Sequence, residues 1–267
     1  EPADPRYAGE LLRGPIDGGG FLCYTPWAAN YKVIKNCQTI INSPDADVGA
    51  IGFAQTVQAY CLMRVLNLTD TNGARTNYDG VTATPVATKD EVLTEIESLL
   101  DAGLANLNAA EDCDDNSDGI QFCFSLSSGF DGFNTPSTFA HFNRGLRARA
   151  DWMNSADGDV GVYHVFSSGA NDGDNQMYED PNAATLKLMV HPTFLTDADS
   201  GDARVTNNIL VRENTVTYDG LSTNLAPTLY SGTYDAVPMM RSEELKLLQA
   251  EVHIGNSNYS GAEGILN

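Results

Sequence analysis

The chain has 267 residues, with 15 lysines and arginines against 36 aspartates and glutamates, which gives a formal net charge of −21. Such a charge repels phosphates, so nucleic acid and anionic membrane surfaces are poor partners. No run of about 18 apolar residues occurs, so no membrane-spanning helix is predicted, and the length is sufficient to bury a sizeable core without disulfides.

The first half of the chain shows the periodicity of amphipathic helices. Thr88 and Glu91 in "TKDE" form a capping box, and Thr135 precedes a proline as a second N-cap signal. Gly49 and Gly52 predict close packing near the start of one helix. The predicted helices cover residues 27–42, 47–67, 88–107 and 135–153.

The amino-acid composition changes between residues 160 and 237, where Gly, Asn, Asp, Thr and Tyr dominate and runs of β-branched residues are short. Helices return at residue 241. We therefore predict one mostly α domain over residues 1–267, with a helical frame at 1–157 and 237–267 and a loop-rich insertion with short strands at 158–236.

The last segment, "AEVHIGNSNYSGAEGIL", has the order of a tetratricopeptide-type helical hairpin. Ala250, Gly255 and Ala262 are small residues that let two helices approach, and Tyr259 is expected to fill the crossing. The segment predicts a helix, a glycine turn and the start of a second helix. We expect further chain beyond both ends of the sequence.

Taken in order, several motifs resemble the SusD/RagB family of outer-membrane lipoproteins. They are "YTPWAANYKVIKNCQTIIN", "GAIGFAQTVQAYCLMRV", "TKDEVLTEIESLLDAGLANL", "DGFNTPSTFAHFNRGLRARADWM", "GDARV" and "VPMMRSEELKLLQAEVHIGNSNYSGAEGILN". The resemblance covers nearly the whole chain, and its last motif is the most specific.

The resemblance implies a SusD-like fold, in which a tetratricopeptide-like helical scaffold carries an irregular face that holds oligosaccharide. It also implies a non-enzymatic protein on the extracellular face of the outer membrane, seated on a TonB-dependent transporter of the SusC type for nutrient uptake. The alternative is an extracellular structural protein that self-associates into a coat or filament, motivated by the short connection between "DWM" and "VYHVF".

Aromatic residues in and beside the loop-rich half are the candidate ligand-binding residues, because an aromatic ring can stack on the apolar face of a sugar. The competing interpretation is that most of them attach loops to the frame. The candidates are Trp152, Tyr163, Phe166, Tyr178 and Tyr230, with Tyr218 and Tyr234 in the same region.

The stretch "DCDDNSDGIQFC" spaces oxygen ligands as a calcium loop does. Asp114, Asn116 and Asp118 occupy alternate positions, and Ile120 offers a backbone carbonyl. Ser125 stands where an EF-hand has its bidentate glutamate, so the alternatives are a Ca²⁺ site and a solvated acidic loop.

The five cysteines have no CxxC spacing, so a zinc or thioredoxin-type site is not predicted. Cys113 and Cys123 could form a disulfide if the compartment is oxidising. No GxSxG, HExxH or GxxxxGK[ST] motif occurs, and the four histidines are scattered. The sequence therefore predicts a binding protein rather than an enzyme, and a carbohydrate-active enzyme is the weakest of the alternatives.

Overall fold

A computed structural model of the chain describes residues 9–10, 14–79, 82, 84–113, 119–151, 161–169, 172–218 and 220–267. The chain divides into two compact units. The helical unit comprises Gly18–Tyr163 and Pro238–Asn267, and the loop unit comprises His164–Val237 with the described residues of Glu1–Asp17.

About half of the chain is helical, and the described strands are few and short, so the prediction of a mostly α fold is confirmed. In chain order the α-helices and strands of the described residues are α1 (Phe21–Ile41), α2 (Val48–Thr69), α3 (Lys89–Asn108), α4 (Pro136–Asp151), β1 (Gly161–His164), α5 (Thr193–Thr196), α6 (Ala203–Asn208), β2 (Ile209–Tyr218), β3 (Leu221–Pro227), β4 (Val237–Arg241), α7 (Ser242–Gly255) and α8 (Tyr259–Leu266).

The four predicted helices of the first half are confirmed as α1 to α4, and each packs against the next along the chain. The first begins at Phe21, ahead of the predicted residue 27. Pro26 lies inside it, in its second turn, and does not end it, although the missing N–H removes one backbone hydrogen bond from the helix.

Local side chains determine where these helices begin. The Thr88 hydroxyl accepts a hydrogen bond from the backbone N–H of Glu91 at 3.4 Å, and the Thr88 N–H donates to the Glu91 carboxylate at 2.8 Å, which confirms the capping box. Asp47 caps α2 by accepting from the N–H of Ala50 at 2.8 Å. Each cap satisfies backbone donors that a helix start leaves without partners.

The core of the helical unit lies among α1 to α4. Each of its large side chains contributes about 1.5–3 kcal/mol by leaving water. The largest of its fully buried side chains include Phe139, Phe142, Ile34, Leu62, Ile96, Leu100 and Leu146.

Glycine allows α2 and α3 to approach closely, as the sequence predicts for Gly52. A Cβ added at Gly52 would lie 2.8 Å from the backbone nitrogen of Leu107. Next to this contact, the buried Asn143 amide of α4 donates to the Thr56 hydroxyl at 2.8 Å and to the Leu100 carbonyl at 3.0 Å. One side chain thus joins three helices.

The C-terminal hairpin is confirmed as α7 and α8, and β1 pairs with β4 just before it. Arg149 of α4 donates to both carboxylate oxygens of Glu244 at 2.6 and 2.7 Å, which fixes α7 against α4. Ala250 and Ala262 are buried as expected. Tyr259 is 68% exposed, so the prediction that its ring fills the crossing of α7 and α8 is wrong. It is the first residue of α8, whereas the buried residue of this helix is Ala262.

The loop unit is built around the antiparallel pair β2 and β3, which runs from Ile209 opposite Pro227 to Tyr218 opposite Leu221. Its register shifts between Val211 and Val216, where β2 bulges. Asn224 fills the bulge by donating to the Arg212 carbonyl at 2.9 Å. The short strands predicted for this region are therefore present.

Candidate ligand-binding surface

Two loops of the loop unit, residues 172–178 and 229–235, are joined by Asn175, and we refer to them as the joined loops. The Asn175 N–H donates to the Thr233 carbonyl at 2.7 Å, and its amide nitrogen donates to the Asp235 carbonyl at 3.0 Å. Its amide oxygen accepts from the N–H of Met177 at 2.9 Å. Because Asn175 is only 2% exposed, these bonds are shielded from water.

Asp235 organises the second of the joined loops. One of its carboxylate oxygens accepts from the Ser231 N–H at 2.5 Å, the Ser231 hydroxyl at 2.9 Å and the Gly232 N–H at 3.1 Å. The hydrogen bonds from Ser231 lower the pKa of Asp235 below 3.8. The carboxylate is therefore charged at neutral pH, and the turn is held by charge-assisted hydrogen bonds.

The joined loops carry apolar and aromatic side chains that water can reach. Tyr178 and Tyr230 are half-buried. The side chains with about half or more of their surface exposed are Met177 at 54%, Leu229 at 59% and Tyr234 at 49%. A surface of this kind offers faces for stacking next to backbone and carboxylate groups that can form hydrogen bonds.

Two of the sequence-predicted ligand residues, Tyr178 and Tyr230, thus lie on the joined loops, and Tyr234 accompanies them. The structure does not gather all the candidates there. Tyr163 is half-buried in β1, within the helical unit. Phe166 is half-buried and meets His164 edge to face, with ring centroids 4.6 Å apart.

The remaining candidates lie outside the described residues or at their edge. Trp152 is outside them, as are Asp114, Asn116 and Asp118 of the predicted calcium loop. Ile120 is described and is 47% exposed.

The ends of that loop are covalently joined by a disulfide between Cys113 and Cys123. The N–H of Gln121 also donates to Asp112 at 3.2 Å across its base. Within the described part of the chain, no three His, Cys, Asp or Glu side chains come together as metal ligands. Three of the four predicted calcium ligands are outside that part, so the calcium site stays a prediction.

Sequence reasoning missed Asn175 and Asp235, the two residues that join the loops. A local signal for Asn175 existed, because its side chain caps a turn by accepting from the residue two positions on, and "NDGDNQM" is rich in residues that do so. No local signal could pair it with Asp235, which lies 60 residues away.

No described helix is both long enough and apolar enough to cross a membrane. A comparison with models of known protein families finds no match. A comparison with curated proteins also finds no match.

Proposed function

We propose that the protein binds neutral oligosaccharides on the joined loops and acts by capture, without catalysis. The observation that carries this proposal is the buried Asn175, which holds two aromatic-bearing loops in one arrangement. A surface fixed before the ligand arrives loses less conformational entropy on binding than a mobile one.

Charge indicates that the ligand is neutral. The chain carries a net charge of −21, and Asp235 is ionised within the joined loops, so an acidic glycan would be repelled. A neutral sugar can stack its apolar ring face on a tyrosine and donate its hydroxyls to carbonyl and carboxylate oxygens.

The proposed setting is that of a SusD/RagB-type protein on the outer face of the outer membrane, which hands its ligand to a TonB-dependent transporter. Three observations support it. The family-like motifs occur in order along the chain, α1 to α4 pack consecutively as helical hairpins of a tetratricopeptide-like scaffold do, and the disulfide of Cys113 and Cys123 suits an oxidising compartment.

Calorimetry of the whole chain against a panel of neutral oligosaccharides tests the binding. We expect Tyr230→Ala and Tyr234→Ala each to weaken binding about fivefold, which corresponds to about 1 kcal/mol for one lost stacking contact. Tyr24→Ala is the matched control, because Tyr24 is 60% exposed but lies in the helical unit. The absence of binding to every sugar in the panel would refute the proposal.

Self-association is the second candidate function, and a specific surface favours it. The C-terminal hairpin exposes four large apolar side chains, Leu247 at 56%, Ile254 at 49%, Tyr259 at 68% and Leu266 at 56%. Exposed apolar residues of this kind can cover one another in an assembly. Sedimentation at high protein concentration, with and without Ca²⁺, tests this function, and a chain that stays monomeric in both conditions contradicts it.

A further inference from the structure

The helical unit contains a pocket of about 350 Å³ to which the joined loops contribute no residue. Its lining residues come from the last turns of α2, the first turns of α3 and the end of α4. The volume lies at the lower end of the range of about 300–1,000 Å³ that small-ligand sites occupy. The lining residues used below are Met63, Leu66, Asp70, Lys89, Ile96 and Arg149.

The best-shielded part of the lining is apolar. Met63 and Leu66 of α2 are at most 9% exposed, and Ile96 of α3 is fully buried. All three side chains belong to the hydrophobic core of the helical unit. Because apolar groups of a ligand would leave water on contact with them, the pocket favours a ligand with an apolar part.

Charged side chains complete the lining. Among the described lining residues, two cations, Lys89 and Arg149, accompany one carboxylate, Asp70. The whole chain has only 15 lysines and arginines and a net charge of −21, so two cations at one pocket reverse the prevailing charge locally. At physiological ionic strength charges are screened over about 8 Å, and a bound ligand therefore responds mainly to this local set.

Both cations retain hydrogen-bond donors. Arg149 bonds to Glu244 through Nε and Nη2 and to the Met239 carbonyl through Nη2, and its Nη1 atom has no hydrogen bond among the described residues. Glu244 lines a different hollow, beside β4. Lys89 donates one of its three N–H groups to Asp70 at 2.6 Å. Two N–H groups on each cation are thus available to a ligand.

The carboxylate of Asp70 is already engaged. It accepts from Lys89, and the hydrogen bonds from Lys89 and from the backbone of Thr71 lower its pKa. A cationic ligand would have to displace Lys89 from this carboxylate, whereas an anion would use donors that are available. The balance of donors and acceptors therefore favours an anionic ligand.

We propose that this pocket binds a small monocarboxylate with an aliphatic tail. The ligand carboxylate accepts hydrogen bonds from Lys89 and Arg149, and the tail lies against Met63, Leu66 and Ile96. The site shares no residue with the joined loops, so it does not depend on the function proposed for them.

Nuclear magnetic resonance of the methionine methyl groups tests the site, because Met63 lines it and Met177 lies in the loop unit. The probe is hexanoate, and the comparators are hexylamine, 1-hexanol and acetate, which change its charge or remove its tail. We expect hexanoate to shift the Met63 signal saturably, with a dissociation constant of about 1–10 mM, and to leave Met177 unchanged. Each comparator should bind at least about fivefold more weakly.

Two substitutions that break the same ion pair should act in opposite directions. Lys89→Gln removes a donor and a positive charge, so hexanoate should bind about fivefold more weakly. Asp70→Asn releases Lys89 and removes a repelling charge, so hexanoate should bind about threefold more tightly. Asparagine suits this position, because residue 70 has a φ of +44° and asparagine tolerates positive φ.

Lys35→Gln is the matched control, because Lys35 is an exposed lysine of α1 outside the lining, and it should leave the affinity unchanged. If the pair of Lys89 and Asp70 were purely structural, both substitutions would change the affinity in the same direction. The comparison of the probes uses the unaltered chain, so it decides the ligand class even where a variant folds poorly.

Three results would overturn the proposal. They are the absence of a saturable Met63 shift with hexanoate, binding of hexylamine or 1-hexanol as tight as that of hexanoate, and a change of affinity in the same direction in Lys89→Gln and Asp70→Asn.

Discussion

Replacing Asn175 by alanine removes the side-chain hydrogen bond to the Asp235 carbonyl that joins the loops at 172–178 and 229–235, and also the bond from the Met177 N–H within the first loop. The bond between the loops contributes about 1 kcal/mol, so the joined arrangement should lose about 1 kcal/mol. That loss raises the open population about fivefold. The backbone bond from Asn175 to Thr233 survives, so the loops should loosen while the loop unit still folds.

Amide hydrogen exchange measures this opening directly. We expect exchange to accelerate about fivefold at the residue 175 N–H, whose bond to the Thr233 carbonyl survives the substitution and breaks when the loops separate, and oligosaccharide affinity to fall in parallel. Asn182→Ala is the matched control, because Asn182 is an exposed amide in the same unit. Unchanged exchange in Asn175→Ala would show that other contacts join the loops. Faster exchange with unchanged affinity would show that the ligand binds elsewhere.

Three further predictions concern packing, pH and the disulfide. Gly52→Ala brings a Cβ within 2.8 Å of α3 backbone and should lower the free energy of unfolding by about 1–3 kcal/mol in urea titrations, whereas Gly18→Ala, with nothing within 4 Å, should not. Because the pKa of Asp235 is lowered from 3.8, its hydrogen bonds stabilise the loop above pH 3.8 and are lost as the pH falls through the lowered value; the protection of the amides bonded to it, relative to an unstructured chain at the same pH, should fall there, and protection that stays constant down to about pH 2 would contradict this. Cys113→Ser removes the disulfide and should cost about 2–3 kcal/mol, and a reductant should then have no additional effect on unfolding.

Features encoded within a few residues of sequence were the predictable ones. Thr88 and Glu91 form their capping box over three positions, and the helix that they begin ends one residue from its predicted limit. Gly52 was correctly expected at a close contact, because a small residue in an apolar helix has few other roles. Tyr259 failed because the motif gives its position in the chain but not the direction of its side chain.

The candidate sites depend on contacts that no local pattern contains. On α1, Gln38 and Asn42 lie four residues apart, so their shared face could be inferred. The hydrogen bond between Gln55 of α2 and Asn106 of α3 joins residues that are 51 positions apart. Only the packing of α2 against α3 brings that pair together. The contact between the joined loops likewise depends on the fold and could not be predicted from a local pattern.

The buried Asn143 gives the helical unit a mechanical property. Asn143 belongs to α4, and its amide group donates to the Thr56 hydroxyl of α2 and to the Leu100 carbonyl of α3. Because the residue is fully buried, sliding any of these helices would break a hydrogen bond that water cannot replace. Each break costs about 1–3 kcal/mol. Relative movement of α2, α3 and α4 is therefore opposed by buried polar contacts as well as by apolar packing.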